Sequence, residues 1–289
     1  MAFADYSVLA AKRKTDRRWG QFARDRVALA SLVALLVLGL AALLAPLITP
    51  GDPSRIDLQS TGLSPSLSHP LGTDLLGRDL LRRALHGGRV SLAVSVTSAA
   101  AAALLGMTLG LVAGYRGGWL DAAVTRLVDA ALAMPAFFVL VALQALLGPG
   151  VGSVILMVSL VGWMVVARVV RALTLSLKER EYVLAARALG CSETRILLNH
   201  LAPNLAGQAG VLFALGVADA LLLESALSFL GMGVPPAEPS WGNMLSDAQA
   251  AILTGAWWVA AFPGALILGT ALAINLVGDG LQEALNPDV

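Results

Sequence analysis

Six stretches of this chain are apolar over roughly twenty residues or more, and that pattern limits its fold more than any other feature. They cover residues 27–48, 90–113, 120–147, 151–170, 205–230 and 257–277. At about 1.5 Å per residue, each matches a hydrocarbon core about 30 Å thick. A helix satisfies its own backbone groups in lipid, and no alternating runs of about ten residues suggest a barrel. The expectation is an all-α integral membrane protein with six transmembrane helices. Composition agrees, since 57% of the 289 residues are hydrophobic and only 13% charged, about half the charged share of an ordinary soluble domain.

Lys12, Arg13, Lys14, Arg17, Arg18, Arg24 and Arg26 precede the first apolar stretch. A signal peptide shares this plan, but the stretch is about twice the usual core and no small-x-small cleavage site follows. It reads as a retained first span, 27–48, behind a basic segment, 1–26. Basic residues beside spans favour the cytoplasm. That places the N-terminal segment, residues 115–119, the 173–204 segment with Lys178, Arg180, Arg187 and Arg195, and the C-terminus on the cytoplasmic side. The 49–89 loop, the 148–150 turn and the 231–256 loop fall opposite. Arg55, Arg78, Arg82, Arg83 and Arg89 oppose this orientation but are outnumbered. Within the 49–89 loop, residues 79–89 read as a short basic helix at the interface. Trp241, Trp257 and Trp258 read as headgroup-level anchors.

Residues 181–204, EYVLAARALGCSETRILLNHLAPN, differ from their apolar flanks. Tyr182, Ala185, Ala186 and Leu189 recur at helical spacing. Gly190 suits a left-handed C-cap and Ser192 an N-cap. Ile196, Leu197, Leu198 and Leu201 fill a second helix that Pro203 is expected to end. Taken alone, the unit reads as a DNA-binding helix-turn-helix. A net charge of +1 and tethering to lipid at both ends argue against nucleic acid. Ordered links of this length carry function more often than short connectors do. The unit has the shape of a docking element whose paired alanines admit a close surface.

The spacing Ala185-Ala186-x3-Gly190, with Pro203 thirteen residues on, resembles the EAA loop of bacterial ABC-importer permeases. Leu184 stands where that motif has its glutamate. The flanking "EYV" and "ARALG" look like the peptide and nickel branch of the family. "HPLGTDLLGRDLLRRALHGGRVSL", "AGYRGGWLDAAVTRLVDAALAMP", "ESALSFLGMGVPPAEPSWGNMLSDA" and "FPGALILGTALAINLVGDGLQEALNPD" are similar to dipeptide and oligopeptide permease C subunits, in order along nearly the whole chain.

The resemblance implies a permease subunit of an ATP-driven importer in a bacterial plasma membrane, with both termini cytoplasmic. Its cargo would be di- or oligopeptides, with nickel or another small solute as the alternative. Residues 90–289 would form the permease core. Within it, residues 178–204 would form coupling helices seated in an ATPase subunit, through Glu181, Tyr182, Ala185, Ala186, Arg187, Gly190, Ser192, Arg195 and Pro203. A second homologous permease chain, two ATP-binding subunits and an extracytoplasmic substrate-binding protein are the implied partners.

ATP and Mg would be used by the ATPase partner, and this chain is expected to bind no cofactor. Its sequence lacks a Gly-x4-Gly-Lys-[Ser/Thr] phosphate loop. Three scattered histidines and a lone Cys191 make no metal-ligand cluster, and no nucleophile–base set supports an enzyme. An ion-driven secondary transporter would need no ATPase and often shows inverted repeats with broken helices, which the sequence does not display.

Several polar residues inside or beside the spans are candidate sites. Arg126 and Asp129 are spaced to pair on one helix face, either as a structural tie or in gating. Asp219 and Glu224 lie about 140° apart on the fifth span, so at least one must face protein or water. Both are candidates for the translocation path, against the alternative of satisfied interior carboxylates. Trp241 and Asn243 are candidate contacts for the binding protein, or part of a cap over the bundle mouth. Gly106, Gly110 and Gly114 form a packing ridge, and Pro135 and Pro263 are expected to kink their helices.

Overall fold

The computed structural model describes residues 22–285; Lys12, Arg13, Lys14, Arg17 and Arg18 and residues 286–289 lie outside them. Among the described residues the regular elements are helical. They are α1 (Arg26–Leu43), α2 (Ala45–Ile48), a 3-10 turn (Leu58–Ser60), α3 (Leu80–Arg116), α4 (Gly118–Leu132), α5 (Ala136–Leu147) and α6 (Val151–Leu177). There follow α7 (Glu181–Ala188), α8 (Glu193–Ile196), a π segment (Leu197–Leu201), α9 (Ala202–Phe229), α10 (Trp241–Leu253) and α11 (Trp258–Leu285). Five helical runs are long and apolar enough to cross a membrane, and α4 with α5 makes a sixth if the bent pair is one span.

Two boundaries depart from expectation. No separate interfacial helix precedes the second span, because α3 runs unbroken for 37 residues. Asp79 starts it, its carboxylate accepting from the Arg82 N–H at 2.9 Å. At 1.5 Å per residue α3 reaches about 56 Å, so much of it stands beyond a 30 Å core. The third span is broken rather than kinked, with α4 and α5 bent by 94°. Pro135 has no N–H and its ring excludes the carbonyl four residues earlier. Its ψ of 123° is extended, and the helix restarts at Ala136. Pro263 lies early in α11, which runs through it.

The glycine ridge packs as expected. A Cβ on Gly106 would stand 2.5 Å from the Val166 Cβ, and one on Gly110 2.6 Å from the Ala167 carbonyl oxygen. The close α3–α6 approach therefore requires glycine at these positions. Helix α4 is held to α6 through Arg171 with Asp121, and Arg168 with Asp129 at 2.5 Å.

The segments expected to share one side do lie together. Phe22 and Ala28 pack with Ala284, Gly280 meets Ala28, and Leu285 meets Gly207 at the start of α9. The other end is closed by the 49–79 loop, α10 and the start of α11. There the Trp258 indole N–H donates to the Thr73 carbonyl (3.2 Å) and the Ser54 hydroxyl to that of Ala237 (2.9 Å). Asp57 caps the 3-10 turn, and the Ser60 hydroxyl and Gln59 N–H hold its carboxyl below the usual carboxylate range.

A buried ion network fastens this cap. Arg78 reaches Asp74 at 2.5 Å and Asp247 at 2.6 Å, and Arg83 reaches the same Asp247 oxygen at 3.0 Å. The Arg83 side chain is 1% exposed. Its Nε is 4.0 Å from Asp74, beyond hydrogen-bond reach, and Nε and Nη1 have no hydrogen-bond partner. Two of the five arginines that opposed the expected orientation are thus locked in local pairs.

Candidate docking unit and the carboxylates of the fifth span

Helix α7 begins at Glu181, whose charge suits a helix N-terminus. Its end is a Schellman turn: the Cys191 N–H bonds the Ala186 carbonyl (3.1 Å) and the Gly190 N–H that of Arg187 (3.0 Å). Gly190 has φ +76°, the left-handed conformation expected of it. Ser192 caps α8 as expected, its hydroxyl accepting from the Arg195 N–H at 3.4 Å.

The faces of α7 differ from those the spacing suggested. Val183 and Ala186 point inward, packing with Leu111 and Tyr115 of α3, Val170 of α6, and Ile196 and Leu201. Tyr182, Leu184, Ala185 and Leu189 are exposed, so Ala186 does not share a surface with Tyr182, Ala185 and Leu189. Leu189 is 85% exposed, and Leu198 of the π segment is 62% exposed. Arg187 and Arg195 are also exposed. A 24-residue periodicity cannot show which face the bundle takes, because apolar residues line both.

Polar contacts fix this unit to α3. The Arg187 guanidinium lies 5.5 Å over the Tyr115 ring, Arg116 pairs with Glu193 at 3.1 Å, and the Lys178 ammonium donates to the Gly114 carbonyl at 3.0 Å. Pro203 does not end the second helix. The run from Glu193 to Phe229 is continuous and passes through the π segment. There the Ala202 N–H bonds the Leu197 carbonyl, five residues back. The longer turn accommodates a proline lacking an N–H. The Asn204 side-chain amide donates to the His200 carbonyl at 2.6 Å. The second helix of the unit, from Glu193, and the fifth span are therefore one continuous helical run, with α7 set off from it by the turn at Gly190.

The two carboxylates of α9 separate cleanly. Glu224 is fully buried. The Ser228 hydroxyl donates to it at 2.8 Å and that of Ser225 at 3.4 Å, and Ser91 of α3 and Ser240 before α10 also bond it. It is a satisfied interior carboxylate joining three elements. Asp219 is exposed, with no hydrogen bond or ion pair among the described residues.

Three other expectations are corrected. Arg126 does not pair with Asp129; Asp129 reaches across to Arg168, while Arg126 is exposed. Trp241 is neither a headgroup anchor nor available to a docked protein. It is 0% exposed, and its indole N–H donates to the Ala84 carbonyl at 2.9 Å. Asn243 is buried too, completing a capping box with Ser240 and donating to the Glu238 carbonyl at 2.6 Å. Among the apolar side chains that do project at this end are Leu58, Leu67, Leu253 and Trp257. For Leu58 and Leu67 the signal in sequence is leucine within a stretch rich in proline and turn residues, where no core helix claims it. Among the described residues no group of His, Cys, Asp and Glu could hold a metal ion.

Comparison with known proteins agrees with this architecture. A family model described as a binding-protein-dependent transport system inner membrane component matches residues 106–289. A second, described as the N-terminal TM domain of oligopeptide transport permease C, matches residues 15–65. The dipeptide transport system permease protein DppC of Bacillus subtilis is 40% identical over 273 residues, 94% of this chain and 85% of the relative. DppC of Alkalihalophilus pseudofirmus is 36% identical over 267 residues, 92% and 88% of the two chains. A Brucella suis protein with a provisional peptide-permease name is 40% identical over 282 residues, 97% and 93% of the two.

Proposed function

Because the chain belongs to the family of binding-protein-dependent transport system inner membrane components, we propose that it is the permease subunit of an ATP-driven importer carrying di- or oligopeptides inward. The relatives named for dipeptide transport supply the cargo, and no observation favours the nickel alternative. The chain moves a solute and makes no bond; ATP and Mg are used by partner subunits.

The observation that carries the reading is the set of exposed apolar side chains Tyr182, Leu184, Ala185, Leu189 and Leu198 on a helix-turn-helix unit whose second helix runs on into α9. An exposed apolar patch rimmed by charge, here Glu181, Arg187 and Arg195, fits a protein partner. That partner is an ATP-binding subunit, one of two. Closure of the ATPase pair shifts α7 and α8, and the Glu193–Phe229 run carries the shift into the bundle. The bundle then switches as a rigid body against a second, homologous permease chain.

This reading puts the docking end, the start of α1 and the end of α11 in the cytoplasm of a bacterial plasma membrane. The 49–79 loop and α10 then face outward, where an extracytoplasmic binding protein meets Leu58, Leu67 and Leu253 rather than Trp241 and Asn243.

Two experiments test it. The tagged chain, solubilised gently from its host, should bring down a second multi-span chain and ATPases with phosphate loops. Recovery of the chain alone in several mild detergents would favour an ion-driven carrier. Gly190→Asp should abolish uptake with the bundle inserted, because the new side chain points into open space where the ATPase docks. Normal uptake in that variant would refute the docking assignment.

A further inference from the structure

Asp219 is seventeen residues from the start of α9 and ten from its end, about 26 and 15 Å along the axis. Gly216, one turn earlier, faces Ala99, near the middle of α3. The carboxylate therefore lies within hydrocarbon depth, on a face open to the outside of this chain. Leu222 and Ala226 share that face, which is otherwise apolar along this stretch, while Leu215, one turn earlier, packs against Gly278 of α11.

A lipid-facing stripe does not accommodate such a group. An acidic residue at the centre of a span is costly to insert, and the more so the less it is shielded by protein or water. Glu224 meets that cost with four serine hydroxyls, whereas Asp219 has no partner among the described residues. A polar or cationic group from outside the chain must therefore meet it.

We infer that Asp219 is a cation-binding point on the path between this chain and its permease partner, and that its ligand is the protonated amino terminus of a peptide in transit. The inference rests on the importer reading above. The amino terminus is the positive charge common to all unblocked peptides, so one carboxylate in an apolar wall recognises it without selecting side chains. Placement on the Glu193–Phe229 run adds the second argument. The helix that receives the push from the ATPase also carries the carboxylate, so each cycle moves Asp219 relative to its ligand. A fixed counter-ion on the second chain would have to be broken at every turnover.

The test uses the assembled importer in proteoliposomes, with the binding protein and dialanine as cargo. Asp219→Glu should keep most of the uptake, Asp219→Asn should lose at least about tenfold, and Asp219→Lys should fall to background. All three should retain the second permease chain and the ATPase activity stimulated by loaded binding protein. The loss in Asp219→Asn should also be larger for dialanine than for N-acetyl-dialanine. Uptake by Asp219→Asn within twofold of native would overturn the inference. So would loss of the second chain from the purified variant, which would make Asp219 an interchain counter-ion. Equal loss for the two peptides would overturn the ligand assignment. Absence of any ATPase from the native complex would instead refute the importer reading.

Discussion

Ala185 and Ala186 are adjacent in sequence and opposed in structure. Ala186 is buried against α3 and α6, while Ala185 is exposed beside Tyr182 and Leu189. Ala186 thus holds α7 on the bundle, and under the proposed function Ala185 lies on the surface that meets the ATPase. Ala186→Leu should overpack the inner face and destabilise the protein by about 1–3 kcal/mol, read as a lower thermal midpoint in detergent. Ala185→Arg should leave that midpoint unchanged and reduce recovery of the ATPase subunits. The reverse pattern would mean that α7 presents its other face.

The turn between α7 and α8 makes a separate prediction. At φ +76° Gly190 has open space where a Cβ would go, so substitution strains the backbone without a clash. Gly190→Val should loosen the turn, with a cost of at least about 1–2 kcal/mol, visible as faster hydrogen exchange at the Cys191 and Gly190 amides. Gly190→Asn, which tolerates the left-handed region, should keep most of the protection. Equal protection in both variants would contradict the role assigned to the Schellman turn.

The apolar windows, the glycine ridge, the cap at Ser192 and the turn at Gly190 were legible because each depends on residues close in sequence. The features that were not depend on distant partners. Trp241 near a span end resembles a headgroup anchor until the Ala84 carbonyl and the Ser91 hydroxyl, some 150 residues earlier, are found to receive its two N–H groups. The fate of Asp129 required Arg168 on another helix. Pro135 and Pro203 show the same limit for backbone. Proline removes one donor, but whether the helix breaks, as at Pro135, or takes a π turn, as before Pro203, depends on packing. Asp219 and Glu224 were known to diverge around the helix; which one turned inward was decided by serines on three segments.

The cap network should respond strongly to loss of one member. Asp74 accepts from the Leu76 and Arg78 N–H groups and from the Arg78 guanidinium. Asp74→Ala leaves Arg78 and Arg83 sharing Asp247 alone, in a largely buried site, and should cost about 3–5 kcal/mol. Limited proteolysis of the 49–79 loop should accelerate with the fall in thermal midpoint. A variant as stable as the native chain would show the network to be dispensable.

Glu224 gives a contrast with Asp219. Glu224→Ala removes the common acceptor of several buried hydroxyls, and unsatisfied buried groups cost about 1–3 kcal/mol each. Stability should fall, with α10 loosened first because Ser240 is its N-cap. Glu224→Gln keeps an acceptor and should be much milder. Asp219→Asn should leave the thermal midpoint unchanged. Similar destabilisation by both α9 substitutions would contradict the division between interior and path.

The most direct measurement is a cross-link from the tip of the docking unit. With Cys191 replaced by serine, Leu189→Cys places a single thiol at one of the most exposed positions of α7 and its turn. Treatment of native membranes with a short bifunctional thiol reagent should join this chain to an ATPase subunit, with a yield that changes when ATP is added. Cross-links only to another membrane-spanning chain, or none while the cysteine remains reactive, would contradict the account at its centre.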